Sequence, residues 1–218
     1  MKPGFTLGRE ANDGTCLVPT IDFALFATHG AFWTSFGLTR LVLRLLERDG
    51  SRASGGTPGA QQENTAPFSR ALIAFHALAF GVMYFGIAKA VISGRVPVWF
   101  PGQRLASSIV IAGGAALTVW ALVHFRSWRF RAKLDRNHEL ATSGPFRFLR
   151  HPIYMGLNLL ALGSAVWVPT AIVWTAFVLM AIGGDLRARA EEPLLERAFG
   201  SRYREFCART RRFVPGVY

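Results

Sequence analysis

Two charged motifs hold the side chains of this chain best suited to chemistry. The first runs His138-Glu139-Leu140-Ala141 through Phe146 to Arg150-His151-Pro152-Ile153-Tyr154, a polar, basic stretch rich in turn formers. The second is Arg187, Glu191, Glu192 and Pro193. Between them lies an apolar run of membrane length, so one hairpin can bring both to the same bilayer surface. Pro152 suits the first turn of a helix, which places His151 at its opening. A helix N-terminus presents free N–H groups and is a natural seat for a ligand's carboxylate. Arg187 and Glu191, four apart, share a helix face, where an ion pair contributes only about 0.2–0.5 kcal/mol. Arg before Glu is the weaker order, so helix stabilisation explains the pair poorly. An arginine can also hold an anionic ligand through charge-assisted hydrogen bonds. Read without a ligand, Arg-His-Pro is simply a charged helix boundary.

Other candidates for chemistry are weaker. His138 and His151 have no metal-ligand spacing between them. Cys16 and Cys207 stand at opposite ends of the chain with no CxxC pair, which argues against a thiolate site or disulfide framework. His29, His76 and His124 fall in or at apolar segments, where a polar side chain usually bonds to a neighbouring helix. Gly113-Gly114 reads as a packing notch between helices.

The elements that must position these motifs follow from composition. Apolar residues make up 51% of the 218 residues and are grouped in long blocks, which indicates a membrane protein. The net charge of +12 would suit a nucleic-acid binder, but no recognition motif accompanies it, and the basic residues sit at block ends. That placement fits loops lying on anionic lipid. The N-terminal residues carry charges and show no cleavage pattern, so the first apolar segment is expected to stay in the protein.

Four apolar blocks are visible. The predicted helices are 17–46, 71–93 and 105–125, and a fourth block covers 153–183 without any charge. As one helix its 31 residues would extend roughly 46 Å, against a hydrocarbon core of about 30 Å. Pro169 lies near its centre, so the block is expected to fold as a hairpin, helices 153–167 and 170–184. The fold class is therefore all-α, a single membrane domain of about five transmembrane helices. A flexible loop is expected over 50–67. Segments 126–152 and 185–218 are expected to form a cap. Twenty of the 25 Lys and Arg fall in the regions 40–70, 126–150 and 187–212, which five helices place on one side; the positive-inside rule makes that side cytoplasmic. The residue before a proline is biased away from helical dihedrals, so a bend is expected at Glu192-Pro193. Arg147 and Arg150 are expected to snorkel to lipid phosphates. Leu194, Leu195, Phe199, Tyr203 and Phe206 can form the apolar face of an interfacial helix.

Taken together, His-Glu-Leu-x-Thr-x-Gly-Pro-Phe-x-x-x-Arg-His-Pro-x-Tyr-x-Gly followed by Glu-Glu-x-x-Leu-x-x-x-Phe-Gly-x-x-Tyr resembles the isoprenylcysteine carboxyl methyltransferases. Phospholipid N-methyltransferases and bacterial thiol S-methyltransferases share parts of the pattern. The resemblance covers about Phe125–Pro215. It implies an integral membrane enzyme that uses S-adenosyl-L-methionine without a Rossmann domain. By position it assigns cofactor contacts to His138, Glu139, Leu140, Ala141, Phe146, His151, Pro152, Ile153, Tyr154 and Glu191. It puts Arg187 against the substrate, so Arg187 and Glu191 are the expected catalytic pair. Phe146 stands where many members have tyrosine, so any hydrogen bond from that hydroxyl is lost. Arg131 stands where some relatives have an uncharged polar contact and is not carried over.

The expected reaction is methyl transfer to a lipophilic small molecule or lipid-modified group, in a bacterial inner membrane with the site facing the cytoplasm. Carboxyl O-methylation is favoured, because a carboxylate is ionised at neutral pH and needs no base, and Arg187 can anchor it. Phospholipid N-methylation and thiol S-methylation are the alternatives within the class. A nicotinamide-dependent membrane reductase and a non-enzymatic membrane protein are the readings outside it. Membrane lipids are expected partners; nucleic acid and metal are not.

Overall fold

The computed structural model describes residues 20–53, 64–65, 68–94, 96–125, 133–134 and 140–218. Six α-helices dominate: α1 Thr20–Ala53, α2 Ser69–Ile92, α3 Gln103–His124, α4 Pro152–Trp167, α5 Ala171–Phe199 and α6 Ser201–Arg209. A 3₁₀ turn at Gly144–Arg147 precedes α4. Asn64–Thr65 pairs antiparallel with Lys133–Leu134, the only strand ladder among the described residues.

Among the described residues, three helices are long and apolar enough to cross a membrane: Arg70–Ile92, Gln103–His124 and Ala171–Phe199. The apolar α4 is shorter, at 16 residues. Large apolar side chains such as Leu78, Phe85, Leu105 and Ile109 point outward and are more than half exposed. Outward apolar surface on helices of this length is what lipid, rather than water, would cover. The chain is an integral membrane protein.

The double-length block does fold as a hairpin. Val168 leaves the helical region and Thr170 is extended, capping α5 by accepting from Val173 N at 3.4 Å. α3 lies along α4 at backbone contact. A Cβ placed on Gly114 would stand 2.7 Å from the Gly156 carbonyl, and one on Gly163 would stand 2.6 Å from Ile111. Small residues at these steps allow the close approach. Gly113 has nothing within 4 Å and does not share in the notch. At the end away from the charged motifs, buried Gln103 donates to the carbonyls of Pro97 and Trp167, tying the start of α3 to the end of α4.

Several expected boundaries differ. α1 extends to Ala53, taking in the start of the expected 50–67 loop; residues 54–63, 66 and 67 lie outside the described residues. α5 does not end near residue 184 or bend at Pro193, but continues to Phe199. The bend comes at Gly200, whose φ of 57° and ψ of −125° suit a residue without Cβ. The reason is side-chain anchoring just before the proline. Glu191 and Glu192 are both held by α4 or its flanks and by the tail, which keeps residue 192 helical against its pre-proline bias. The expected apolar face is therefore shared between two helices. Tyr203 and Phe206 of α6 pack with Phe36, Ala121, Leu122, Phe146 and Ile153, while Leu195 and Phe199 approach from the end of α5.

Candidate active site

The end of the bundle carrying the two motifs is organised by two carboxylates in the last third of α5, Glu191 and Glu192. Tyr154, in the first turn of α4, donates its hydroxyl to Glu191 Oε1. His151, at the N-cap of α4, is buried, with Nδ1 3.8 Å from Glu191 Oε2 and Nε2 3.4 Å from Glu192 Oε1. Its Nε2 is within ion-pair range of Glu192 but makes no hydrogen bond among the described residues. The His151 and Tyr154 rings stack 5.7 Å apart at 10°. Arg187, one helical turn before Glu191, is buried with its guanidinium carbon 4.7 Å above the Tyr154 ring. Stacking on an aromatic face suits a planar, weakly hydrated cation. Helical periodicity explains why these residues meet: Arg187 and Glu191 share a face of α5, and Tyr154 stands one turn into the helix that faces it.

The expected site residues thus fall into two groups. His151, Tyr154, Arg187 and Glu191 form the polar cluster. Phe146 and Ile153 are buried in the adjoining apolar cluster, and Leu140 and Ala141 pack against it. Pro152 is buried at the start of α4. Phe146 sits 5.5 Å from the Phe125 ring, which gives it an aromatic packing partner. His138 and Glu139 lie outside the described residues.

Glu192 has a different job from its neighbour. Its Oε1 accepts from Arg150 Nε at 3.1 Å and Arg212 Nε at 3.0 Å, and its Oε2 from Arg212 Nη2 at 2.7 Å. Arg150 also donates to the carbonyls of Cys207 and Thr210. Arg150 is therefore no phosphate-seeking interfacial side chain but a pin between α4 and the tail. These hydrogen bonds, led by those to Glu192, raise the already high pKa of Arg212 further. The main chain joins in: Arg150 N donates to Arg211 O at 2.7 Å, His151 N to Arg212 O at 3.2 Å, and Arg211 N to Phe148 O at 3.2 Å. Phe213 then leans on the His151 ring at 6.1 Å, and Tyr218 donates to Asp185 Oδ1 at 2.8 Å. The tail is a strap across the cluster. Sequence reasoning missed Arg212, Phe213 and Tyr218, and no local signal could pair residues 20 to 60 positions apart.

The histidines of the apolar segments separate as well. His29 is satisfied across helices, with Nδ1 3.0 Å from the Tyr84 hydroxyl and Nε2 3.0 Å from Ser164 Oγ. His124 bonds within its own helix, 2.9 Å from the Trp120 carbonyl. His76 is the exception to the expected pattern: neither ring nitrogen has a hydrogen-bond partner among the described residues. A groove of about 350 Å³ between α5 and α6 is lined by Arg189, Glu196, Tyr203 and Arg204 among others. Of the residues around the cluster it is lined by Glu192 alone, so the chemistry is better placed at the cluster itself.

The sequence is similar to those of known proteins. The family model for phospholipid methyltransferases matches residues 103–202. Probable protein-S-isoprenylcysteine O-methyltransferases of Oryza sativa, subspecies indica and japonica, are each 25% identical over 137 residues, 62% of this chain and 62% of the relative. Protein-S-isoprenylcysteine O-methyltransferase B of Arabidopsis thaliana is 28% identical over 131 residues, 55% of this chain and 66% of that protein. The chain spans less than two-thirds of the length of each of these relatives. The matched segment, just under half of the chain, contains α3, the hairpin and both charged motifs, and over it the chain is similar to the phospholipid methyltransferases.

Proposed function

We propose that this protein is an S-adenosyl-L-methionine-dependent membrane methyltransferase that esterifies the carboxylate of a lipophilic acceptor, with its site on the cytoplasmic side of a bacterial inner membrane. The observation that carries the reading is a buried arginine, Arg187, set beside a carboxylate, Glu191, at the mouth of the hairpin. Relatives named for isoprenylcysteine O-methylation support the acceptor class, and the grouping of basic residues supports the orientation.

The residues present fit the cofactor. Glu191 is a carboxylate with an aromatic hydroxyl already bonded to one oxygen, suited to receive an ammonium or ribose hydroxyls. The buried His151 Nε2, which has no hydrogen-bond partner among the described residues, offers a further polar contact. Leu140, Ala141, Phe146 and Ile153 offer an apolar wall for a purine. When bound, S-adenosyl-L-methionine supplies an electrophilic methyl group on a sulfonium. Arg187 would hold the acceptor carboxylate in its ionised form, and Tyr154 fixes the guanidinium plane from below. The tail strap would keep water from the cluster. No proton needs to move, because the acceptor oxygen attacks as the anion, so orientation and exclusion of water carry the rate.

The test is calorimetry of S-adenosyl-L-methionine in detergent, then incubation of membranes with methyl-labelled cofactor and identification of the labelled product. A base-labile methyl ester is expected. A labelled phospholipid amine or thioether would replace carboxyl transfer with the other chemistries, and no binding at all would remove the enzyme reading.

A further inference from the structure

We infer that His76 and Asn158, with Arg187, form the head-group site for the acceptor, and that this head group is a carboxylate next to a hydrogen-bond donor, as in an N-acylated amino acid. The inference rests on the methyltransferase reading only for the reaction carried out there; the binding site is argued from unpaired groups.

His76 lies in the second turn of α2 and is 4% exposed, with neither ring nitrogen bonded among the described residues. Asn158, one turn past Tyr154 on α4, has a buried Oδ1 that is likewise without a partner among the described residues. A buried polar group left unpaired is costly, so two such residues packed on one step of a helix point to a missing ligand. Both line the Gly183-Gly184 step of α5. A Cβ on Gly183 would stand 3.0 Å from His76 Nδ1, and one on Gly184 would stand 3.5 Å from the Asn158 amide. Both glycines are buried. Arg187 follows one turn later on α5, and the Tyr154 ring links the pair, 6.3 Å from the His76 ring and 4.7 Å from the Arg187 guanidinium carbon. Three helices thus bring polar groups to one spot beside the cofactor cluster.

The donor and acceptor types define the ligand. Arg187 offers only N–H donors, and a neutral imidazole offers one N–H and one acceptor nitrogen. Together they match a carboxylate. Asn158 Oδ1 is an acceptor and needs an N–H or O–H beside that carboxylate. The Phe80 ring, 6.0 Å from the imidazole and one turn deeper on α2, gives an apolar wall for the chain that follows. A quaternary or protonated amine head would instead face the Arg187 cation, which disfavours it.

The test uses the full chain in nanodiscs with three probes: N-dodecanoylglycine, its methyl ester, and N-dodecanoylsarcosine, which keeps the carboxylate and loses the N–H. Wild type should bind the free acid about tenfold more tightly than the ester, a difference of about 1.4 kcal/mol. His76→Phe should remove most of that preference and leave S-adenosylhomocysteine affinity within about twofold; His76→Gln, which keeps an N–H donor, should restore part of it. Asn158→Leu should abolish the preference for the glycine over the sarcosine probe. Equal affinity of wild type for acid and ester, or no binding of either, overturns the inference. So does His76→Phe that leaves acid binding intact, or that weakens acid and S-adenosylhomocysteine alike. Acid selectivity that survives with no S-adenosylhomocysteine binding keeps this site and sinks the methyltransferase reading instead.

Discussion

Glu191 and Glu192 share a sequence neighbourhood and a helix, yet they belong to different parts of the molecule. Glu191 accepts from Tyr154 and faces His151 across 3.8 Å. Glu192 accepts three hydrogen bonds from Arg150 and Arg212 and closes the tail over α4. One carboxylate remains available to a ligand, and the other is consumed by the protein. A Glu-Glu pair read as a catalytic signature therefore contains one residue for chemistry and one for architecture. Both are needed, because the strap that Glu192 holds also seats Phe213 against His151.

That division can be broken by substitution. The largest effect is expected for Glu192→Ala, which leaves Arg212 and Arg150 without their anion. Removing the anion of this part-buried network costs about 2–3 kcal/mol, the worth of its charged hydrogen bonds, and in a domain of this size this lowers the melting temperature by roughly 5–10 °C. Thermal unfolding in detergent checks it, and a shift below a few degrees would mean that the strap holds without Glu192. Next, Glu191→Gln should weaken cofactor binding about tenfold to a hundredfold, since hydrogen bonds to a charged group contribute about 1.5–3 kcal/mol. The melting temperature should stay near wild type, and His151→Ala should follow the same pattern. If Glu191→Gln unfolds the protein as Glu192→Ala does, the two glutamates are not distinct.

A third comparison moves from cofactor to acceptor. Arg187→Ala should lower turnover about a hundredfold or more with the identified acceptor while cofactor affinity changes far less. Arg187→Lys should recover only part, because the charge returns without the planar fork. Equal loss of cofactor affinity and turnover would place Arg187 with Glu191 rather than with the acceptor. The smallest effect belongs to the satisfied histidine. His29→Phe removes two interhelical hydrogen bonds, each of which contributes about 0.6 kcal/mol in membrane proteins, so stability should drop slightly. Acceptor and cofactor affinities should not move, in contrast to His76→Phe.

Much of this arrangement is legible in the sequence, for reasons that can be named. The hairpin is forced by length, because a chargeless block too long for one span contains Pro169. The meeting of His151, Tyr154, Arg187 and Glu191 follows once the hairpin is drawn, since both motifs then end on one side. The bend expected at Pro193 was wrong because backbone bias there is about local dihedrals, while the outcome depends on side-chain anchors at 191 and 192. Arg150 and Arg212 read as two more members of a basic population; only tertiary contact distinguishes them from Arg204, which lies on the surface. His76 and His29 look alike in sequence, and the difference is whether Tyr84 and Ser164 stand within reach.

The short reach of α4 has a consequence for how the two reactants arrive. Its 16 residues rise about 24 Å, some 6 Å less than a typical hydrocarbon core. Because α3 grips it at Gly114 and Gly163, α4 cannot slide outward to make up the difference. On the proposed function, the opening turn of α4, with His151 and Tyr154, would then be recessed toward the acyl chains instead of standing clear in the water. An amphiphile dissolved in the leaflet can present its polar end there by lateral diffusion, with its tail never leaving the oil. A water-soluble reactant would have to descend to meet it, past the tail strap.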